Sequence, residues 1–352
     1  MGYRHWLVAT AFWGWATAAT AALPIQGCDS VPGITPVCGL QAPEDMERLP
    51  GGGYLILSQY GGMTGGAGSL ALFDAAADRA QPLYPQPGAD GAADWGDADC
   101  PGAPGAALSP HGIHLAQRAD GAWQLLVVNH GGREAVEFFE LKAAGGDSRL
   151  VWRGCAVAPE GAFLNDVVAL PGGGLLVTHM FDRDDPDGLA NALSGRDSGH
   201  VFRWRPGQGF DVLPGSRAPF PNGIQIDAAG SAIYLNLYAA GEVRKLDLAS
   251  GRTLASWAVP SPDNSSWSEA GLLLVASHTG VFDNLQQCES VGAGACDLAY
   301  QIVAIDPRTL AHRTLFSHEG APMGAGTVAV DLNGVFYIGS FAGDRLVKVR
   351  LD

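Results

Sequence analysis

Short apolar runs broken by Pro/Gly turns fill the chain, and one arrangement keeps returning. NDVVAL (165–170) leads through PGGG into LLVT (175–178), NGIQID (222–227) leads through AAG into AIYL (232–235), and TVAVD (327–331) leads through LNG into VFYI (335–338). A further copy sets PEDM (43–46) ahead of LPGGG and the run YLILS (54–58), and Asp263-Asn264 before GLLLV (271–275) reads as a shorter member. β-Branched and apolar residues bounded by turn formers predict paired antiparallel strands. Runs such as GEVRKLDL (241–248) and RLVKVR (345–350) follow the copies as outer strands. Self-similarity at roughly 50 to 60 residues, with about four strands to a unit, predicts an all-β propeller of about six blades. The chain after its first segment shows no amphipathic helix, which argues against a doubly wound α/β fold. A sandwich with a separate domain is the other architecture that such strand spacing allows.

One member of the series, PHGIHLAQRADGAWQLLVVNH (110–130), opens and closes on a histidine. Its two strands, joined by a turn at Ala119-Asp120-Gly121, would bring His111 and His130 together at one rim. Such a pair can pass a proton, one ring acting as base while the other orients it. The ordinary alternative is that each imidazole caps a strand or meets a buried carbonyl.

Composition supports the many-turned fold. The 352 residues include 49 Gly and 22 Pro, spread along the chain, and 47% are hydrophobic. A formal charge of −15 argues against nucleic acid as a partner, because phosphate binding needs a basic face. Arg4 and His5 precede an apolar run ending near Ala22, which predicts a secretory signal over residues 1–22, or a membrane anchor if retained, with a single domain over residues 23–352. The product is then exported, secreted or periplasmic. In an oxidising compartment six cysteines without a CxxC pair imply disulfides rather than zinc. The expected pairs are Cys28–Cys38 and Cys288–Cys296, each closing a short loop, and Cys100–Cys155, out of fifteen possible arrangements. Two polar insertions, residues 88–105 and 182–198, are expected to be surface loops at the rim of a pocket.

Polar residues then fall into register. Glu44-Asp45, His111, Asn165-Asp166, Asn222 and Asp263-Asn264 each stand just before the first apolar strand of a unit. In a propeller that strand is innermost, so these side chains converge on one end of the channel. Carboxylates buried there need compensation, and an irregular set of hard oxygen donors suits Ca²⁺ better than Zn²⁺ or Mg²⁺. Glu44, Asn165, Asn222, Asp263 and Asn264 are the expected ligands of one ion. Asp45 and Asp166, one position further on, suggest a second. Neither a G-x-S-x-G nucleophile nor a phosphate-cradling Gly loop is present, since GGMTGGAG (61–68) precedes a strand-like run.

PEDMERLPGG, PHGIH, LLVVNH, LNDVVAL, FPNGIQI and PDN, in this order from about Pro43 to the C-terminus, resemble motifs of the paraoxonase/arylesterase family, which shares a six-bladed propeller with gluconolactonases and the senescence marker protein. The resemblance implies a calcium-dependent lactonase and arylesterase. By matching position it implies a catalytic calcium at Glu44, Asn165, Asn222, Asp263 and Asn264. It also implies a structural calcium at Asp45, Asp166 and the main-chain oxygen of Ile113, a His111/His130 dyad, and Phe220 as an aromatic pocket residue. HMFDRDDPDG (179–188) departs from the family pattern, and the cysteines are denser. The expected partner is a small lactone or ester. Two other readings fit the same blades: a gluconolactonase-type sugar lactonase with one divalent metal, and a propeller that binds a ligand or protein without catalysis.

Overall fold

The computed structural model describes residues 24–143, 145–280 and 286–351, so the proposed signal segment lies outside the described residues. Six four-stranded antiparallel sheets make up the fold. Blade 1 holds β2 (Pro43–Arg48), β3 (Tyr54–Gln59), β4 (Ser69–Asp74) and β5 (Arg79–Tyr84). Blade 2 holds β6 (Pro110–Gln117), β7 (Trp123–Asn129), β8 (Ala135–Lys142) and β9 (Arg149–Val157). Blade 3 holds β10 (Leu164–Ala169), β11 (Leu175–His179), β12 (His200–Arg205) and β13 (Gly209–Val212). Blade 4 holds β14 (Pro221–Ile226), β15 (Ala232–Leu237), β16 (Glu242–Asp247) and β17 (Thr253–Ala258). Blade 5 holds β18 (Pro262–Trp267), β19 (Leu273–His278), β20 (Tyr300–Ile305) and β21 (His312–His318).

Blade 6 combines the two ends of the described chain. β22 (Gly326–Leu332), β23 (Val335–Ser340) and β24 (Arg345–Val349) are completed by β1 (Ile34–Cys38), which pairs antiparallel with β24 from Ile34 opposite Val349 to Cys38 opposite Arg345. The innermost strands β2, β6, β10, β14, β18 and β22 each touch the next, and β22 touches β2. The ring is closed, which disposes of the sandwich alternative. Apolar clusters lie between neighbouring blades, as with Leu126, Val128 and Phe138 of blade 2 against Val167, Leu175 and Trp204 of blade 3. The fifth copy is full length. Its innermost strand hides in the sequence because Ser265 and Ser266 take the place of apolar residues, and the Ser266 hydroxyl donates to the Ala329 carbonyl of blade 6 at 2.5 Å.

All three expected disulfides are present, Cys28–Cys38, Cys100–Cys155 and Cys288–Cys296, consistent with an exported protein. Among the described residues no helix is long and apolar enough to cross a membrane.

The two insertions part company. Although Asp94, Trp95 and Gly96 border a separate cavity beside residues 170–174, residues 88–105 do not line the channel cavity. They run along β9, where Gly91 N–H donates to the Trp152 carbonyl and Asp97 N–H to that of Cys155, and Cys100 is pinned to Cys155. They cover an edge strand whose unpaired backbone groups would otherwise be open to pairing with another chain. Residues 182–198 do reach the channel mouth. They contain one short helix, α1 (Gly188–Leu193), whose Leu189 and Leu193 pack with Phe181 and Phe220.

Every innermost strand has a register shift at its start, between Pro110 and Ile113 and between Pro221 and Ile224, for example. A bulge turns two consecutive residues inward and leaves the backbone of one blade against the next. Two of these positions tolerate only glycine. A Cβ on Gly112 would lie 2.6 Å from the Asn165 carbonyl oxygen and 2.6 Å from Asp166 Cα, and one on Gly223 would lie 2.4 Å from the Asp263 carbonyl oxygen. Gly223→Ala is therefore expected to lower the free energy of unfolding by about 1–3 kcal/mol, the usual range for overpacking. Gly172→Ala, in a turn where a Cβ meets nothing within 4 Å, should be near neutral in the same urea titration.

Candidate active site

The bulges project the residues expected from the sequence into the channel. Glu44 follows Pro43, His111 follows Pro110, Asn165 follows Leu164, Asn222 follows Pro221, and Asp263 follows Pro262. All five are buried. Glu44, His111, Asn165, Asn222 and Asp263 share the wall of one cavity of about 70 Å³.

Hydrogen bonds order this ring while leaving oxygens free. Asn264 Nδ2 donates to Glu44 Oε1 at 2.5 Å, and Asn165 Nδ2 lies 3.4 Å from Met180 Sδ. The Asn222 side chain stands close to the Asp263 carboxyl. Asn165 Oδ1, Asn222 Oδ1 and Asn264 Oδ1 are buried without a partner, as is Glu44 Oε2. Four unpartnered acceptors in one place are costly unless a donor or a cation faces them. The carboxylates report the same deficit. Burial, aided by the charges of Asp45 and Asp263, holds Glu44 well above the usual carboxylate range. Burial raises Asp263 to about 8, against the nearby Asn222 amide and with help from Asp166. Among the described residues no group of three or more His, Cys, Asp and Glu is placed to hold a metal by itself. Any ion here would lean on the three amide oxygens, a donor set that fits a hard cation and not a thiolate- or imidazole-loving one.

Asp45 and Asp166 sit one step deeper and differ in kind. Asp45 accepts Met46 N–H at 2.8 Å and, from the next blade, Ile113 N–H at 2.7 Å. Asp166 accepts Val167 N–H at 2.7 Å and Ile224 N–H of blade 4 at 2.8 Å. Each carboxylate staples its own innermost strand to the following one, so the acidic pairs have a structural reason whether or not a second ion is bound.

The two histidines meet as expected. His111 Nδ1 and His130 Nε2 are 2.9 Å apart, and His130 Nδ1 is 3.0 Å from both oxygens of Glu134. Glu134, unnoticed in the sequence, fixes the proton positions. A carboxylate accepts, so His130 carries its proton on Nδ1, its bare Nε2 accepts from His111 Nδ1–H, and His111 Nε2 is left with its lone pair. That nitrogen lies 3.6 Å from Glu44 Oε1, beside the unpartnered oxygens. Burial, then the neighbouring His130, holds His111 well below the ordinary imidazole range, so it is neutral and ready to accept. Asn129 places the pair: its Oδ1 accepts Ser109 N–H and Gly131 N–H at 2.9 Å each, and its Nδ2 donates to Glu137 at 3.1 Å. Only glycine fits at Gly131, where a Cβ would lie 1.7 Å from the Ala107 carbonyl oxygen.

A second ring comes from the other end of each hairpin. The residue after the one that faces the strand start is Tyr60, His130, Met180, Tyr238, His278 or Phe341 in blades 1 to 6. Tyr60 stacks on His111 with ring centroids 4.6 Å apart. Tyr238 Oη is 3.0 Å from His278 Nδ1, and burial lowers His278 to about 4. Tyr60, Met180, Tyr238 and Phe341 line the cavity together with Met63, Glu289 and Phe220, the aromatic residue expected there. Apart from the dyad and the ring of oxygens, the wall is largely apolar.

No protein-family model matches the chain, and no curated protein matches it by sequence. Solved structures do match in fold. A gluconolactonase from Xanthomonas campestris aligns with a TM-score of 0.53 at 15% identity, over 91% of this chain and 89% of its own. A luciferin-regenerating enzyme aligns with a TM-score of 0.52 at 10% identity, over 90% of this chain and 95% of its own. At such identities the likeness is one of architecture, and it places the chain among six-bladed all-β propellers.

Proposed function

We propose that this protein is a calcium-dependent hydrolase of lactones and aryl esters. The observation that carries this reading is the pairing, in one cavity, of the unpartnered buried oxygens of Glu44, Asn165 and Asn222, with that of Asn264 behind Glu44, and a neutral histidine whose bare Nε2 lies beside Glu44. Glu44, Asn165, Asn222, Asp263 and Asn264 would hold the ion. When bound, calcium supplies a Lewis acid for the substrate carbonyl, favouring the negative charge that builds on its oxygen during attack. The resemblance adds a second, structural calcium at Asp45, Asp166 and the Ile113 carbonyl.

The chain's own groups supply the proton chemistry and the binding. His111 Nε2 takes a proton from the attacking water. His130, hydrogen-bonded to Nδ1, stabilises the resulting imidazolium, and the proton later passes to the leaving oxygen. For a lactone that oxygen stays attached to the acyl chain, and for an aryl ester it departs as a phenol. Phe220, Phe341, Met63 and Met180 offer contact area and no hydrogen bonds, while the Tyr238 hydroxyl is engaged by His278. This wall suits an apolar acyl or aryl group, and it also excludes water from the reacting atoms. The fold likeness to a gluconolactonase supports a sugar-lactone substrate instead. A sugar ring would find fewer partners in this wall than in water, the unpartnered Tyr60 hydroxyl and Glu289 among them, so a substrate panel separates the two classes.

Three outcomes follow from this assignment. Calcium at a hundredfold excess over its Kd should stabilise the fold by about 2.7 kcal/mol in chelator-stripped protein, seen as a higher melting temperature, and Glu44→Gln with Asn222→Ala should abolish the shift. His111→Gln should reduce kcat on a δ-lactone by about 10²- to 10⁴-fold, the worth of general-base assistance, and unchanged turnover would remove the dyad from the mechanism. In a panel scored by kcat/KM, alkyl-substituted lactones and phenyl acetate should outrun glucono-δ-lactone; the reverse order would favour the sugar lactonase, and no turnover of any would favour a binding propeller.

A further inference from the structure

The stretch that departs from the resembling family, HMFDRDDPDG, contains the residue on which this inference turns. Arg183 Nη1 is 2.9 Å from Glu134 Oε2, the carboxylate that receives His130 Nδ1–H. The Arg183 backbone N–H donates to the Gly161 carbonyl at 3.0 Å, and its guanidinium lies 4.7 Å from the centre of the Phe163 ring. Phe163 in turn sets its ring against His130, with centroids 5.3 Å apart, and its backbone N–H donates to His179 Nδ1. Arg183 therefore touches both supports of His130, the carboxylate behind it and the aromatic ring beside it.

The geometry points to Arg183 as a positioning residue through which the insertion at residues 182–198 assembles the base. This rests on the hydrolase reading above. The chain of contacts runs Arg183, Glu134, His130, His111. Glu134 receives three donors, Arg183, His130 and the Leu164 backbone N–H at 2.7 Å, so it is held as an acceptor with little freedom to rotate. Without Arg183 the carboxylate keeps two of them, and its orientation, and with it the His130 proton on Nδ1, is no longer over-determined. The side chain of Glu134 is 9% exposed and that of Arg183 34%, so the carboxylate is shielded while the guanidinium is half-buried. The same segment carries Leu189 and Leu193, which join the apolar cluster of Phe181 and Phe220, the latter a residue of the pocket wall. Substrate contact at that wall and the geometry of the dyad thus share one short piece of chain.

The test compares Arg183→Gln, Arg183→Lys and Glu134→Gln in the full chain, with a substrate-free readout beside kinetics. Ring ¹⁵N shifts of histidine-labelled protein, with His130 assigned by its loss in His130→Gln, should show the Nδ1–H tautomer in the parent. They should show a mixture of tautomers in Arg183→Gln and Glu134→Gln. On a δ-lactone, Arg183→Gln should lose roughly 10-fold in kcat with KM nearly unchanged, as expected when a supporting contact is removed, and Arg183→Lys should recover part of it. An Arg183→Gln variant that keeps the parent's His130 shifts and kcat would overturn the proposal. A tautomer change in a protein that hydrolyses no lactone or ester would uphold the positioning role and refute the hydrolase reading. A fall in kcat with unmoved His130 shifts would also count against it, since the loss would then come from elsewhere.

Discussion

Closing six sheets into a ring forces the starts of six strands together at one end of a narrow channel, and the bulge at each start turns its polar side chain inward, so the burial of charge constrains everything else. Glu44 and Asp263 cannot both be ionised there without compensation, and both are pushed towards the neutral acid. The amide oxygens beside them have nothing to accept from. A divalent cation, as proposed, would cancel the two carboxylate charges and face the amide oxygens at the same time. Few other solutions satisfy so many acceptors in so little space.

The scaffold keeps that arrangement from relaxing. Asp45 and Asp166 tie blade 1 to blade 2 and blade 3 to blade 4 through backbone N–H groups, and the Thr327 hydroxyl ties blade 6 to the Glu44 carbonyl at 2.6 Å. The Ser58 hydroxyl does the same for the His111 carbonyl at 2.5 Å. Because these staples sit within a residue of the inward-facing groups, the oxygens cannot swing out to find water without breaking bonds between blades. Under the proposed reading, a cation held by oxygens fixed in this way would need no reorganisation when negative charge develops on a substrate carbonyl.

Much of this was legible in the sequence, and the exceptions are instructive. The first ring could be read because Pro43, Pro110, Pro221 and Pro262 mark the same strand position in four blades, and an Asx, Glu or His follows each. The disulfides followed from loop lengths. The second ring escaped because Tyr60, Met180, Tyr238, His278 and Phe341 share a register position and no chemistry, so only the observed pairing reveals them as a set. Glu134 escaped for a similar reason: four residues after His130 in a loop, it belongs to no motif. For residues 88–105 a polar, Gly-rich composition predicts a loop without saying which edge it covers or which cavity it borders; the Cys100–Cys155 link holds it along β9, away from the channel cavity. The fifth blade looked short because its serines satisfy themselves by hydrogen bonds where apolar residues would mark a strand.

The central claim, that oxygens from distant parts of the chain gather around one hard cation, is tested most directly by diffraction from crystals grown with calcium and collected for its anomalous signal. The account predicts a peak ligated by Glu44, Asn165, Asn222, Asp263 and Asn264 beside His111 Nε2. A cavity with no anomalous peak, its four oxygens hydrogen-bonded to ordered water, would contradict it.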